Sequence, residues 1–89
     1  MLVYVILVYD VDVKRVAKVL KIARRYLTWV QNSVLEGELT PSQYFQLKNE
    51  LRRVANLNED SFIFYVMRTS RYSEREIMGV QKGGWETIL

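Results

Sequence analysis

An α+β fold is the class that the sequence predicts, and the order of its segments is the main reason. Two segments with helical periodicity alternate with apolar or alternating segments, in the order strand, helix, strand, short strand, helix, strand. That order is the ferredoxin-like βαββαβ pattern, in which two helices cover one face of an antiparallel sheet. A chain of 89 residues suits one compact domain. We therefore predict a ferredoxin-like domain over residues 1–80 and a separate C-terminal segment over residues 81–89.

The first strand and the first helix are predicted from two different patterns. Residues 1–9 are apolar or aromatic throughout, which favours a strand that is covered on both faces or lies at an interface. Residues 13–27 have helical periodicity, with an apolar face of Val16, Leu20, Ala23 and Leu27, supported by Val19. A second face carries Lys14, Lys18, Lys21 and Arg25. We expect this helix to pack on the sheet and to present a row of positive charges outward.

The middle of the chain predicts a strand, a short strand and the second helix. Residues 28–35 alternate, and Gly37 is predicted to form a bulge or tight bend before the short strand. Thr40, Pro41 and Gln43 form a capping-box signature for a helix that runs to about residue 55. Its predicted apolar face is Tyr44, Leu47, Leu51 and Val54.

The C-terminal third predicts a further strand and then shorter segments. Residues 61–67 are almost wholly apolar, residues 68–75 are predicted to be a basic loop, and residues 76–80 a short strand. Two helices cover only one face of the sheet, yet two of its strands have no polar face. A second copy of the same sheet is the simplest cover, so we predict a homodimer. The segment 81–89 is predicted to pack on the partner protomer's sheet.

The composition narrows the chemistry available to the protein. The chain has no cysteine and no histidine, which excludes disulfides, zinc sites built from these residues and catalytic dyads that use them. Catalysis would then depend on carboxylates, hydroxyls, Lys, Arg or a hard metal ion such as Mg²⁺ or Mn²⁺. The longest apolar run is too short to span a bilayer and lacks the basic start of a signal peptide. We expect a cytoplasmic protein with no membrane partner.

Basic residues are concentrated in one part of the chain. Residues 13–35 contain no acid and six basic residues, which are Lys14, Arg15, Lys18, Lys21, Arg24 and Arg25. A localised basic surface indicates a polyanionic partner such as nucleic acid. A solvated helix face explains the same pattern equally well, and the residues alone do not decide between the two.

Two carboxylates follow the first predicted strand. Asp12 directly precedes the first helix, and the common role of an aspartate there is to cap the helix. Asp10 ends the strand, where a two-fold axis would bring two copies together as ligands of one Mg²⁺ ion. The alternative is a turn-forming aspartate that hydrogen-bonds to its own backbone. Both interpretations of Asp10 stay open on the residues alone.

Several motifs taken together resemble the CRISPR-associated endoribonuclease family, the small core subunit of spacer acquisition that partners the spacer integrase. They are "YVILVYDV" followed by a basic helix, "VQNSVLEGEL", a second helix and "DSFIFYVMR", in that order. The resemblance implies a ferredoxin-like homodimer whose C-terminal strand packs on the other protomer. It also implies metal-dependent endonuclease activity on single-stranded RNA or double-stranded DNA, with Asp10 as the catalytic and Mg²⁺-binding residue.

The same resemblance implies a role as an adaptor. In the family, the dimer lies between two integrase dimers and holds the DNA duplex that is to be inserted. Basic residues of the first helix contribute to nucleic-acid contact in the family, so the resemblance implies this role for Arg15 and Lys18. Together with the basic face of the helix, the predicted binding residues are Lys14, Arg15, Lys18, Lys21 and Arg25. The alternative is a ferredoxin-like dimer that binds nucleic acid without catalysis.

Overall fold

The architecture is a five-stranded antiparallel sheet with two helices. The computed structural model describes residues 1–69 and 72–80, and at residues 69 and 72–75 it describes the backbone only. The elements are β1 (Val3–Asp10), α1 (Val13–Ala23), β2 (Thr28–Gln31), β3 (Val34–Leu39), α2 (Pro41–Val54), β4 (Ser61–Thr69) and β5 (Tyr72–Gly79). The strand order is β2-β3-β1-β4-β5, with every neighbouring pair antiparallel. The predicted α+β, ferredoxin-like fold is confirmed.

One face of the sheet and both helices share the hydrophobic core. Along β1, buried residues alternate with partly exposed ones, and the buried set is Val3, Val5, Leu7 and Tyr9. The helices contribute Val19, Ile22, Ala23, Leu47 and Leu51. On the opposite face of β1, Tyr4, Ile6 and Val8 remain partly exposed. Successive side chains of a strand point to opposite faces. The buried set therefore faces the helices, and the partly exposed set lies on the face that the helices leave open.

Both helices begin where the sequence predicts. The Asp12 side chain accepts a hydrogen bond from the Lys14 backbone N–H at 2.9 Å and caps α1. The capping box of α2 is complete, because Thr40 and Gln43 each accept a hydrogen bond from the other's backbone N–H. The end predicted for α1 at residue 27 is wrong. The helix stops at Ala23 and the chain turns, yet Leu27 still reaches the core.

The predicted bend at Gly37 is also wrong. The chain turns instead at Asn32, whose φ of 42° lies in the left-handed region that asparagine tolerates better than most residues. Gly37 lies inside β3, opposite Val5 of β1. A Cβ atom on Gly37 would lie 3.3 Å from Cδ2 of Leu27. The glycine thus allows close packing of Leu27 against the strand and does not mark a turn.

The predicted basic loop over residues 68–75 does not form. Residues up to Thr69 continue β4, and β5 begins at Tyr72 and pairs with β4 along its length. Because β5 is an edge strand, charged residues within it are compatible with a sheet and do not signal a loop. Residues 70, 71 and 81–89, including the predicted C-terminal segment, lie outside the described residues. Within residues 1–69 and 72–80, no helix combines the length and apolar character needed to cross a membrane.

Candidate nucleic-acid interface

The outward face of α1 carries a row of lysines. Lys14, Lys18 and Lys21 are exposed, while Val19 and Ile22 of the same helix are buried. None of these three lysines forms an ion pair with another residue that the structure describes. The predicted basic face is thus present in the folded chain, with three cations that have no protein counter-ion among the described residues.

The other basic residues of this region differ in their surroundings. Arg25 donates to a carboxylate oxygen of Glu50 on α2 at 2.9 Å, although its side chain stays 60% exposed. Arg15 lies at the edge of the core, with a side chain that is 18% exposed. Its Nε donates to Oδ2 of Asp60 at 2.7 Å, and its Nη2 contacts Oδ1 of Asp60 and Oε1 of Glu59, both at 2.9 Å. Arg15 therefore links α1 to the segment directly before β4.

Asp60 is the centre of this ion pair and is fully buried. Besides Arg15, it accepts hydrogen bonds from the backbone N–H groups of Asp12 at 3.1 Å and Asn56 at 2.9 Å. The Arg15 guanidinium holds the pKa of the Asp60 carboxyl well below its usual range against the opposing effect of burial, and the two N–H donors assist. The pKa of Arg15 is raised in turn, chiefly by Asp60.

Gly79 is the reason that β5 can end against Asp60. The backbone N–H of Val80 donates to the carbonyl oxygen of Asp60 at 2.9 Å. Gly79 has a φ of 99°, and a Cβ atom there would lie 2.0 Å from that carbonyl oxygen. Only glycine fits this close approach. The loop between β1 and α1, the end of α2 and the end of β5 all meet at Asp60.

Sequence reasoning missed Asp60. It lies in "NEDSF", where three polar residues precede an apolar strand, and this pattern is typical of an exposed loop. The available signal was its position directly before a strand that pairs with β1. Asp10 pairs with Ser61 in that ladder, so the residue after Asp60 lies beside the end of β1.

Asp10 is exposed at the end of β1, close in the chain to the start of α1. In the described part of the chain, no three carboxylate-bearing residues cluster as a metal site. Asp12 and Asp60 serve as a helix cap and an ion-pair partner. A Mg²⁺ ion typically keeps several waters and takes one or two protein carboxylates. Asp10 supplies one exposed carboxylate of this kind.

Comparisons with known proteins place these features in context. Residues 1–75 match the family model described as "CRISPR associated protein Cas2". A "CRISPR-associated endoribonuclease Cas2" from Dictyoglomus turgidum is 56% identical over 86 residues, covering 97% of this chain and 99% of that protein. A protein of the same name from Thermotoga maritima is 60% identical over 80 residues, covering 90% of this chain and 92% of that protein.

Solved structures show the same similarity in three dimensions. A crystal structure of cas2 superposes with a TM-score of 0.74 at 38% identity, covering 94% of each chain. The crystal structure of Streptococcus pyogenes Cas2 at pH 6.5 superposes with a TM-score of 0.65 at 34% identity, covering 70% of this chain and 82% of that one. Sequence and fold therefore point to the same relatives.

Proposed function

The chain belongs to the family of the CRISPR-associated protein Cas2, and from that premise we propose that it serves CRISPR spacer acquisition as a homodimer that binds duplex DNA. The observation that carries the proposal is the row of lysines on α1. Lys14, Lys18 and Lys21 are exposed and have no ion-pair partner among the described residues. In this role the dimer lies between two dimers of the spacer integrase and holds the duplex to be inserted.

The contrast within α1 supports binding over simple solvation. Arg15 and Arg25 of the same region form ion pairs with carboxylates, whereas the three lysines form none with a residue that the structure describes. Lysine is a compact point charge that contacts phosphate without reading sequence. Such a face gives binding with little sequence preference and a strong dependence on salt.

A metal-dependent endonuclease activity is the second proposed function, and Asp10 is the observation that favours it. Relatives carry the name endoribonuclease, and the exposed Asp10 lies at a strand end beside the basic helix. We propose that Asp10 from each protomer holds one Mg²⁺ or Mn²⁺ ion. A bound ion of this kind lowers the pKa of water and neutralises phosphate charge. The lysines of α1 would hold the phosphates of single-stranded RNA or double-stranded DNA close to Asp10.

The binding proposal is tested by charge reversal with a matched control. Lys18→Glu combined with Lys21→Glu should weaken duplex binding. It should also reduce the magnitude of the slope of log affinity against log salt by about 1.8 for each protomer that contacts the duplex, since each lost phosphate contact removes about 0.9. The control pair Arg52→Glu and Arg53→Glu makes the same net charge change on the exposed surface of α2. Fluorescence anisotropy over a salt series measures both.

Three results decide this test. A steep loss with the α1 pair and a small loss with the α2 pair supports the interface on α1. Equal losses with both pairs would show that only net charge matters, and unchanged binding with the α1 pair would overturn the proposal.

The nuclease proposal is tested at the two neighbouring carboxylates. Asp10→Asn should abolish Mg²⁺-dependent cleavage of single-stranded RNA and of duplex DNA while duplex binding persists. The control Asp12→Ser removes the adjacent carboxylate but retains a side chain that caps a helix well, so cleavage should persist. Cleavage that survives Asp10→Asn would remove Asp10 from the site, and cleavage lost in Asp12→Ser as well would extend the site to Asp12.

A further inference from the structure

A half-exposed tryptophan lies at the edge of the sheet beside the basic helix. Trp29 belongs to the edge strand β2. Its side chain is 46% exposed, although tryptophan side chains are on average highly buried. It pairs with Leu35 of β3, which is buried in the core. Residues directly opposite in a ladder point to the same side of a sheet. Trp29 therefore lies on the face of the sheet that the helices cover. The predicted dimer would pair the opposite face, so Trp29 would stay accessible in it.

The indole is held in place rather than free to swing. Its Nε1–H donates to the carbonyl oxygen of Asn32 at 2.8 Å. That carbonyl belongs to the turn between β2 and β3, where Asn32 adopts a positive φ. The register of the ladder also shifts between Trp29 and Gln31. The only polar atom of the side chain is thus satisfied within the hairpin, and the ring surface is what remains to be offered to solvent.

The guanidinium group of Arg24 lies close to the Trp29 ring. The guanidinium carbon of Arg24 lies 5.8 Å from the centroid of the Trp29 ring, within the range of a cation–π contact. Arg24 is exposed and forms no ion pair with a residue that the structure describes. It also borders a shallow hollow of about 360 Å³ on α1, lined by Ala17, Leu20, Lys21 and Arg24. Lys21 of this hollow is part of the lysine row, so the aromatic ring and the basic face adjoin.

We propose that Trp29 and Arg24 form a binding site for an unpaired nucleotide, in which a nucleobase stacks on the indole and the adjacent phosphate contacts Arg24. The inference rests on the proposed function, since it supposes a nucleic acid on α1. Aromatic side chains beside a basic groove are the general means by which single strands are bound, because every base offers a π face. A duplex keeps its bases stacked inside and gains nothing from the indole. The site thus selects for a single strand or for the unpaired end of a duplex.

Charge favours this occupant over an apolar peptide. Arg24 lies over the ring and Lys21 lines the hollow next to Arg24, and neither forms an ion pair with an acid that the structure describes. A protein partner would have to supply several carboxylates to match this surface, whereas a nucleotide supplies a phosphate and a ring together. The exposed Phe45 of α2 makes a useful contrast, because it is 60% exposed and does not belong to this basic surface.

Fluorescence reports directly on the proposed stacking. Trp85→Phe makes Trp29 the sole tryptophan of the 89-residue chain. Titration with a single-stranded RNA octamer or a single-stranded DNA octamer should quench its emission, and the blunt duplex of the same length should bind without that quenching. Quenching by both octamers indicates that the site recognises the base alone. Quenching by only one of them indicates that the site also distinguishes ribose from deoxyribose. Binding of both octamers without quenching would overturn the proposal.

Affinity gives an independent readout with matched variants. Trp29→Leu should lower the affinity for the octamers about tenfold and leave the duplex affinity unchanged. Trp29→Phe keeps an aromatic ring and should retain most of the affinity, which separates stacking from damage to the fold. Phe45→Leu, the control, should change neither. Equal losses for octamer and duplex, or equal behaviour of the Leu and Phe variants at position 29, would overturn the site.

These outcomes are distinct from failure of the proposed function. If the Lys18→Glu and Lys21→Glu pair abolishes duplex binding while Trp29→Leu has no effect on octamers, the basic face stands and the stacking site is wrong. If the lysine pair has no effect on the duplex but Trp29 is quenched by octamers, the stacking site stands and duplex binding through α1 is wrong.

Discussion

At the scale of single residues, the buried Asp60–Arg15 pair shows how a charged group is accommodated in a small core. A carboxylate taken out of water requires a partner and further donors, and Asp60 has a guanidinium and two backbone N–H groups. The cap at Asp12 was predictable because its partner lies two residues away. Asp60 was not, because its main partner is 45 residues away and only the folded sheet brings them together.

Replacement of Asp60 is expected to cost stability and to change its dependence on pH. Asp60→Asn should lower the free energy of unfolding at pH 7 by about 3 kcal/mol, the lower end of the range for breaking a buried pair, since Arg15 retains some access to water. The folded-state pKa of Asp60 lies below its unfolded value. Its contribution is therefore fully present above about pH 5 and is lost progressively as the pH falls through the unfolded pKa toward the folded one.

Denaturant unfolding of the parent and Asp60→Asn between pH 7 and pH 2.5 measures this contribution. The gap between the two proteins should be constant above about pH 5 and should narrow below it. Glu59→Gln is the matched control, because Glu59 also contacts Arg15 but is 57% exposed, and it should change stability by less than about 0.5 kcal/mol. A gap that stays the same down to the lowest pH would contradict the role of the Asp60 charge.

At the scale of elements, patterns confined to a few neighbouring residues predicted the structure well. The helix starts at Asp12 and Thr40 were correct because a cap is decided by residues two or three positions away. The turn at Asn32 and the long β4–β5 pair were missed. The β-rich segment of residues 28–35 favours a single strand, and charged residues on an edge strand resemble a loop, so in both places the pairing partner decided the outcome.

The capping box of α2 makes a quantitative test at this scale. Thr40→Ala should lower the free energy of unfolding by about 1 kcal/mol, because it removes the acceptor for the Gln43 backbone N–H. Ser42→Ala is the control, since Ser42 is exposed in the first turn of the same helix. Thermal unfolding followed by circular dichroism measures both variants. A loss at Ser42 as large as that at Thr40 would show that the cap is not what stabilises the helix start.

At the scale of the whole molecule, the face of the sheet that the helices leave open is apolar along β1 and β4, while β3 adds Glu36 and Glu38 to it. On the central strands it consists of partly exposed side chains, namely Tyr4, Ile6, Val8, Ile63, Tyr65 and Met67. The absence of a polar face on these strands was the sequence observation behind the predicted homodimer, which stays a prediction. Sequence could indicate that a cover is needed, but the geometry of an interface depends on a second chain.

Light scattering tests the homodimer. The parent should have a mass about twice the 10.6 kDa of one chain, and Ile63→Glu should shift it to the monomer because a charge in an apolar interface is not compensated. Phe45→Glu is the control, since Phe45 is exposed on α2, and it should leave the mass unchanged. A monomeric parent at micromolar concentration would remove the dimer, and with it the paired Asp10 site.

The meeting of distant segments at Asp60 also has a consequence in time. Its hydrogen bonds from Asp12 and Arg15 span 48 and 45 residues of the chain. We expect these contacts to form after β1 and β4 have paired, because that pairing closes the chain between them. Interactions made after the rate-limiting step mainly slow the reverse reaction. We therefore expect the hydrogen bonds of Asp60 to change the folding rate little and to slow unfolding substantially, which lengthens the lifetime of the folded chain.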